Sequence, residues 1–335
     1  MKTIAIIILL LTLTQAGVSQ KYENLVFEGA GIRGLAYCGV IRELEKRNIT
    51  DEIKNVGGTS AGAITALMFS IGYNSGEMYD IISETEFQKF NDGEYIFFGG
   101  FYRLNSNFGW YKGDEFTSWL DAIIIAKTGN SEITFSELKE NGFKDLYITA
   151  TCLNKQKLMV FSAANYPKMK VKDAVRISMS IPLYFEAVFI DSLGTVYDER
   201  NDRENLDIVV DGGLLGNFPI FIFDSLVTDS TNQIERIPNY KTLGIRIDSD
   251  SQIENDMKTK ELVPIQIDNM NDYLLAFYTL ILENLNRNTL TPEDWKRTIS
   301  VSSAGIGPRI KKLTQIQKES LIESGELCTK RFFDK

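Results

Sequence analysis

Ser60 is the residue whose surroundings most clearly suggest chemistry, because it lies at the centre of a G-x-S-x-G pentapeptide. The residues before it have the pattern of a strand (53–56), and the small, apolar residues after it have that of a helix (61–71). Gly58 and Gly62 allow a sharp turn between the two, which leaves the serine hydroxyl exposed. A helix N-terminus also favours negative charge that develops beside it. From the pentapeptide alone, two interpretations are open: Ser60 is a nucleophile, or it only caps the helix.

The composition restricts which group can activate Ser60. The 335 residues include no histidine, so a Ser-His-Asp triad is impossible. If Ser60 is a nucleophile, its proton must pass to a carboxylate, a lysine or water. The sequence should therefore contain an acidic or basic residue on a turn of its own.

Asp211 meets that requirement. A short apolar segment with the pattern of a buried strand (206–210) ends at this aspartate, and Gly212 and Gly213 follow it. A carboxylate at the end of a strand, with flexible backbone behind it, is able to approach Ser60 directly. The sequence therefore indicates Asp211 as the candidate proton acceptor.

A glycine-rich loop supplies the third element of a hydrolytic site. It follows a predicted strand at residues 25–27 and precedes a predicted helix at residues 34–47. Successive backbone N–H groups in such a loop can form a nest that binds an oxyanion. The residues of this loop are Gly29, Ala30, Gly31, Ile32, Arg33 and Gly34.

In these three segments the chain resembles the patatin-like phospholipases. That family has a G-G-G-x-[RK]-G oxyanion loop, a G-x-S-x-G elbow and a D-G-[GA] aspartate in this order, and it uses a Ser-Asp dyad without histidine. Ala30 departs from the middle glycine of the first motif, and its methyl group narrows the backbone conformations open to the loop. The matching residues are Gly29, Gly31, Arg33 and Gly34 in the first motif, Gly58, Ser60 and Gly62 in the second, and Asp211, Gly212 and Gly213 in the third.

A fourth segment, residues 174–182, is similar to the A-x-x-x-S-x-[AS]-x-P segment of the same family, with Ser178, Ser180 and Pro182 in the matching positions. The resemblance covers residues 22–225 well and extends more loosely to the C-terminus. It implies a patatin-like catalytic domain over residues 22–335 with a three-layer α/β/α sandwich fold. The alternation of strand and helix patterns independently predicts a mainly parallel sheet, with the site at the carboxyl ends of its strands.

The resemblance also implies a reaction and the residues that perform it. Ser60 would attack an ester carbonyl of a phospholipid, Asp211 would accept its proton, and the N–H groups around Ala30 and Gly31 would hold the oxyanion of an acyl-enzyme pathway. Arg33 would orient the glycine loop or meet a phosphate, or would form a simple ion pair. No cofactor or metal is expected. A carboxylesterase or glycerolipid lipase without phospholipid preference is the alternative, followed by a lipid-binding protein whose site has decayed.

The N-terminus has the pattern of a secretory signal peptide over residues 1–19. Lys2 provides the charge, residues 4–13 the apolar core, and small residues such as Ala16 and Ser19 a cleavage region. An uncleaved anchor is the alternative, but the apolar run is shorter than the roughly 20 residues that a spanning helix needs. We therefore expect export, with an extracellular or periplasmic location after cleavage.

Charge and cysteine content restrict the partners and the compartment. The net charge is −9, which argues against nucleic acid and against strongly anionic membranes as partners. The expected partner is a lipid substrate at a membrane or micelle surface. Three cysteines, Cys38, Cys152 and Cys328, are too few for a disulfide framework. Cys38 and Cys152 lie in apolar patterns, so buried thiols are expected there, with a single disulfide as the alternative.

Two apolar segments leave their role open. Residues 95–102 form an aromatic stretch interrupted by glycines, for which we expect a loop that packs on the core, with a flexible lid or a lipid-contacting loop as the alternative. Residues 273–282 are apolar on nearly all sides if helical, for which we expect a buried helix, with one that faces an acyl-chain groove as the alternative.

Overall fold

The fold is known from a computed structural model, which describes residues 21–93, 96–197, 205–228, 232–256, 258–259, 261–287, 289–308 and 311–334. The predicted signal peptide, residues 1–19, lies outside the described residues. The strands are β1 (Asn24–Phe27), β2 (Asn55–Gly58), β3 (Gly109–Tyr111), β4 (Asp145–Cys152), β5 (Lys157–Phe161), β6 (Leu183–Phe185), β7 (Val188–Ile190), β8 (Val196–Tyr197), β9 (Asp207–Asp211), β10 (Ser225–Thr228), β11 (Ile234–Ile237), β12 (Thr242–Asp248) and β13 (Thr298–Ser302). The helices are α1 (Ala36–Lys46), α2 (Ala61–Ser70), α3 (Ser75–Glu84), α4 (Ile96–Asn107), α5 (Asp114–Thr128), α6 (Phe135–Glu140), α7 (Val171–Ser178), α8 (Gly213–Gly216), α9 (Asp250–Asp256), α10 (Met270–Arg287), α11 (Pro292–Lys296) and α12 (Gln315–Phe333).

The central sheet is mixed and mostly parallel. In the described part of the chain it has nine strands, of which β13, β12, β1, β2 and β4 lie side by side in this order and run parallel. Beyond β4 the sheet continues through β9, β7 and β8, which pair antiparallel, and β5 pairs antiparallel with β4. Helices flank this sheet. The predicted α/β fold with a mainly parallel sheet is therefore confirmed.

Strand β12 illustrates how side chains alternate between the two faces of the sheet. Leu243 and Ile245 belong to the main core, to which α1, α2, α7 and α12 also contribute. Gly244 and Arg246 face the opposite side, where the Phe218 ring packs on both of them. The sheet therefore separates a large apolar core from a smaller helical layer that contains α11.

The edge of β4 brings the ends of two strands together. On this edge β2 pairs with the first half of β4, so that Gly58 lies opposite Ile148. The antiparallel β9 pairs with the second half, so that Asp211 lies opposite Ala150. The carboxyl ends of β2 and β9 consequently meet head to head, about 7 Å apart along the sheet. Asp211 therefore reaches Ser60 on an antiparallel strand. The parallel alignment expected from the sequence, which also places strand ends at one edge of a sheet, does not position it.

Three local expectations need correction. The strand predicted at residues 53–56 is β2, which lies two residues later and includes Gly57 and Gly58. Glycine has a low strand propensity, so the sequence pattern did not indicate a strand there. The position is crowded, since a Cβ on Gly57 would lie 2.4 Å from the Ile222 side chain. Helix α4 replaces the predicted aromatic loop, and Tyr95 lies outside the described residues. The predicted buried helix is α10, but its Phe277 is exposed.

The structure shows the burial and the oxidation state of the three cysteines. Cys38 and Cys152 are buried, Cys328 is partly buried, and all three are free thiols, so the alternative of a disulfide is wrong. Burial raises the pKa of the Cys38 thiol to about 12, which makes it unreactive.

Among the described helices, none has the length and apolar character needed to cross a bilayer.

Helices α1 and α12 approach each other closely through two glycines. A Cβ on Gly39 would lie 2.1 Å from the Ile322 carbonyl oxygen, and a Cβ on Gly325 would lie 2.2 Å from that of Ala36. Both distances are far below van der Waals contact. This crossing fixes α1, the helix that follows the glycine-rich loop.

We predict that Gly325→Ala lowers the free energy of unfolding by about 1–3 kcal/mol, because the added methyl group forces the helices apart. Alanine is the better helix former by roughly 1 kcal/mol, so helix propensity alone predicts the opposite sign. Urea unfolding followed by circular dichroism measures the change. Glu323→Ala, on the exposed face of the same helix, is the control and should differ little from the wild type. Equal stability of Gly325→Ala and the wild type would contradict the close crossing.

Candidate active site

Ser60 occupies a strained turn between β2 and α2. Its φ is 54° and its ψ is −122°, a conformation that costs a non-glycine residue about 1–3 kcal/mol. A Cβ on Gly58 would lie 2.3 Å from the Gly62 carbonyl oxygen, and one on Gly62 would lie 2.4 Å from that of Phe27, so both glycines are required. The Ser60 side chain makes no capping hydrogen bond to α2, so the interpretation as a helix cap is wrong.

The segment that ends α7 holds both Ser60 and Asp211. The Ser60 N–H donates to Ser178 Oγ at 2.9 Å, and the Asp211 N–H donates to the Ser180 carbonyl oxygen at 2.9 Å. Ser60 Oγ lies 3.4 Å from Met179 Sδ. The sequence indicated this segment only through the fourth family motif and assigned no role to its serines. The structure shows that they fix the backbone of both candidate residues.

Asp211 is a buried carboxylate next to Ser60. Burial raises its pKa to about 7, while hydrogen bonds from the Gly213 N–H and the Ser60 side chain act in the opposite direction. The Gly213 N–H donates to Asp211 Oδ1 at 2.6 Å. A Cβ on Gly212 would lie 2.6 Å from the Thr149 carbonyl oxygen, so glycine is required there too. The structure therefore brings Ser60 and Asp211 together, as the motifs indicated.

The glycine-rich loop lies beside Ser60 and leaves two N–H groups available. The Gly29 N–H donates to the Asn217 carbonyl oxygen at 2.9 Å, and the Ile32 N–H donates to that of Pro308 at 3.3 Å. Within the described residues, by contrast, no acceptor is found for the N–H of Ala30 or of Gly31. These are the donors that the sequence predicted for an oxyanion.

The backbone of the loop explains why alanine is accommodated at position 30. Ala30 has a φ of −133°, which any L-residue adopts, whereas the left-handed conformation falls on Gly31, with a φ of 55°. Arg33 Nε donates to the Ala30 carbonyl oxygen at 3.1 Å, and Arg33 forms no ion pair with any described residue. Arg33 therefore orients the loop, one of its predicted roles. Gly34 allows close approach to the elbow, since its Cβ would lie 3.0 Å from that of Ala61.

Two asparagines that the sequence analysis missed connect the loop to the aspartate turn. Asn217 Nδ2 donates to the Gly29 carbonyl oxygen at 3.1 Å, and the Asn217 N–H donates to Asn286 Oδ1 at 2.5 Å. Asn286 Nδ2 then donates to the Gly213 carbonyl oxygen at 3.0 Å. Asn217 follows the aspartate motif closely, but Asn286 lies 69 positions after Asn217 and has no local signal.

A buried cluster of charges supports the other side of the loop. Glu28 precedes the loop, and its Oε2 accepts the Ile247 N–H at 3.0 Å. Burial raises the pKa of Glu28 to about 8, partly offset by Arg246, whose guanidinium lies 3.5 Å from its Oε1. Arg246 also pairs with Asp248 at 2.6 Å. The residue before the glycine-rich loop is therefore fixed by β12.

Ser60 and Asp211 open into a cavity of about 1180 Å³. The glycine loop forms one part of its wall, and side chains from α10 and from residues 262–267 form another. Most of the remaining lining is aromatic or aliphatic, including Ile64, Phe90, Phe116, Ile181 and Phe185. A cavity with this volume and lining suits an apolar ligand with a few polar atoms near the serine.

Comparison with known proteins identifies the family. A sequence model described as patatin-like phospholipase matches residues 25–224. This range includes all four motifs and ends before helices α9 to α12. The chain belongs to this family. Its members are lipid hydrolases, and the described fold and site geometry agree with that membership.

The individual relatives have low sequence identity to this chain. The uncharacterized protein R571 of Acanthamoeba polyphaga mimivirus is 28% identical over 310 residues, which cover 91% of each chain. The probable lipid hydrolase 463L of invertebrate iridescent virus 6 is 26% identical over 207 residues, or 60% of this chain and 63% of that protein. The crystal structure of VipD from Legionella pneumophila superposes with a TM-score of 0.59 at 14% identity over 94% of this chain and 67% of that one, a likeness of fold alone.

We predict that Asn286→Ala lowers kcat for ester hydrolysis about tenfold or more, because the loop and the aspartate turn lose their connection. The free energy of unfolding should fall by about 1–3 kcal/mol, since two buried backbone groups lose a partner. Steady-state kinetics on a dissolved ester and urea unfolding measure the two effects.

The matched control is Asn154→Ala. Asn154 also connects two backbone groups, the Leu206 carbonyl and the Ile208 N–H, but at the end of β9 remote from Asp211. It should lose less stability than Asn286→Ala, because Asn154 is exposed, and should keep its kcat. If both variants retain or lose kcat alike, the Asn286 connection does not position the site.

A second prediction concerns the buried carboxyl group. Because the folded state raises the pKa of Asp211 to about 7, this group destabilises the fold increasingly as the pH rises from its unfolded pKa near 4 to about 7. Asp211→Asn lacks that penalty. Its stability relative to the wild type should therefore increase by about 2–3 kcal/mol between about pH 5 and about pH 8, measured by urea unfolding. A pH-independent difference would show that Asp211 has an ordinary pKa.

Proposed function

We propose that this protein is a phospholipase A-type lipid acyl hydrolase that cleaves ester-linked fatty acids from phospholipids through a Ser60–Asp211 dyad. The observation that carries the proposal is the buried Asp211, whose pKa is raised to about 7 by burial and which ends β9 where β2 leads into Ser60. Family membership and the relative named a probable lipid hydrolase support a lipid ester as substrate. The predicted signal peptide supports export to the periplasm or the exterior.

The first half-reaction forms an acyl-enzyme. Ser60 Oγ attacks the ester carbonyl carbon while its proton passes to an Asp211 oxygen. The carbonyl oxygen becomes an oxyanion that accepts hydrogen bonds from the N–H groups of Ala30 and Gly31. When the tetrahedral intermediate collapses, the ester C–O bond breaks and the leaving alkoxide takes the proton from Asp211. The products are a lysophospholipid and an ester of the fatty acid with Ser60.

The second half-reaction repeats these steps with water. Asp211 accepts a proton as the water oxygen attacks the acyl carbon, and the oxyanion is again held by the loop. Collapse then returns the proton to Ser60 Oγ and releases the fatty acid. Each proton that Asp211 accepts is given back within the same half-reaction, so the carboxylate is regenerated.

The raised pKa of Asp211 makes this carboxylate a better base than an exposed one. An aspartate with an ordinary pKa near 4 is a weak acceptor for a serine proton at neutral pH. A pKa near 7 increases the driving force for proton transfer and still leaves about half of the molecules ionised at pH 7. Burial, which raises the pKa, therefore assists catalysis by a site without histidine.

Fatty-acid release from mixed phosphatidylcholine and triacylglycerol micelles tests the proposal. The wild type should release fatty acid from the phospholipid, with a rate that rises with pH through about 7 as Asp211 ionises. Ser60→Ala and Asp211→Asn should each lower this rate roughly a thousandfold or more. Asp207→Asn, at the other end of β9, is the control and should retain the rate.

Each other outcome has a definite meaning. Full activity in Asp211→Asn would exclude the dyad. Release from triacylglycerol without release from phosphatidylcholine would identify a glycerolipid lipase instead. Binding of lipid without any turnover by the wild type would identify a lipid-binding protein.

A further inference from the structure

Helix α10 carries an apolar stripe on its exposed side. Met270, Tyr273, Phe277 and Leu280 follow one another at spacings of three, four and three residues, which place them on one face. Their exposed fractions are 70%, 54%, 55% and 52%. Large apolar residues are normally exposed singly, so a continuous row of four marks a contact surface.

The stripe forms the rim of the cavity that contains Ser60. Tyr273, Phe277 and Leu280 line the cavity and are nevertheless more than half exposed, so they lie where the cavity meets solvent. Ile265 and Ile267, in the extended segment before α10, also line the cavity and are 47% and 51% exposed. One apolar surface therefore extends from the outside of the molecule into the candidate active site.

The C-terminal end of α10 ties this surface to the site. Glu283 and Arg287 continue along the same helix and pair with each other at 2.9 Å. Arg287 also pairs with Asp248 at 3.1 Å, and Glu283 with Arg246 at 3.4 Å. The helix that carries the stripe is thus fixed to β12, which also supports the glycine loop through Glu28.

The charge around the stripe indicates which lipid surface it suits. Residues 262–280 contain two aspartates and no lysine or arginine, and the whole chain has a net charge of −9. Polybasic segments attract proteins to anionic membranes, and this segment has the opposite character. Attachment here would depend on burial of apolar side chains, as for helices that lie in the plane of a membrane interface.

We propose that the stripe of α10, with Ile265 and Ile267, docks the protein on a zwitterionic or neutral lipid surface and holds the cavity mouth against it. The proposal rests on the proposed function, because a lipid that reaches Ser60 from a bilayer or micelle must pass this rim. Phospholipid then moves from the surface into the cavity without crossing water.

Vesicle partition of the full chain tests the surface without catalysis. In a Ser60→Ala background, the protein should bind phosphatidylcholine vesicles in a flotation assay. Met270→Asp and Phe277→Asp should each weaken this partition roughly tenfold, because a large apolar side chain no longer enters the lipid. Replacing part of the phosphatidylcholine by phosphatidylglycerol should not strengthen it.

Ile316→Asp is the matched control. Ile316 is 75% exposed in the first turn of α12, as Met270 is in the first turn of α10, so both changes place an aspartate at a helix N-terminus, where it is tolerated. The control should partition like the Ser60→Ala parent. With Ser60 intact, Met270→Asp should retain hydrolysis of a dissolved short-chain ester and lose hydrolysis of vesicle lipid.

Three results would overturn the proposal. The first is partition of Met270→Asp and Phe277→Asp equal to that of the parent. The second is partition that increases with anionic lipid and disappears in salt. The third is a dimer that the stripe variants dissociate, since a second copy would then cover the stripe. Failure of the proposed function is a separate outcome, in which vesicle binding depends on Met270 but the wild type releases no fatty acid.

Discussion

The candidate site depends on the pairing of two strands with the same edge of β4. Because β2 and β9 both form backbone hydrogen bonds with β4, their carboxyl ends are fixed relative to each other by the main chain. Ser60 follows one end, and Asp211 is the other. The main chain, and not side-chain packing, therefore determines the separation of Ser60 and Asp211. Antiparallel β9 achieves this because it approaches β2 from the opposite direction and stops beside it.

This arrangement costs stability, and local hydrogen bonds offset the cost. Ser60 has a positive φ, and Asp211 is buried with a pKa raised to about 7, so both residues oppose folding. Ser178 and Ser180 at the end of α7 hold the two backbones in place. Strained or destabilised groups persist where their surroundings determine their geometry, and they concentrate at functional sites. The strain is thus an expected property of a reactive serine.

The sequence predicted those parts of the site that are encoded locally. The elbow at Ser60, the loop at Gly29 and the turn at Asp211 each need small residues within a few positions, so each leaves a motif. The connection through Asn286 leaves none, because it joins segments that are distant along the chain. The same limit applies to β2, whose Gly57 has a low strand propensity but fits against Ile222. Tertiary contacts, which the chain does not display locally, decide such positions.

Helix α10 connects the surface of the molecule to the candidate active site. Its exposed apolar stripe forms the rim of the cavity, whereas Asn286 near its C-terminal end contacts the turn that follows Asp211. Arg287, one residue later, pairs with Asp248 of β12. Because one helix provides the rim and supports the aspartate turn, the mouth of the cavity and the position of the carboxylate share a single frame. The buried ion pairs of Arg246 with Glu283 and of Arg287 with Asp248 hold the helix in that frame.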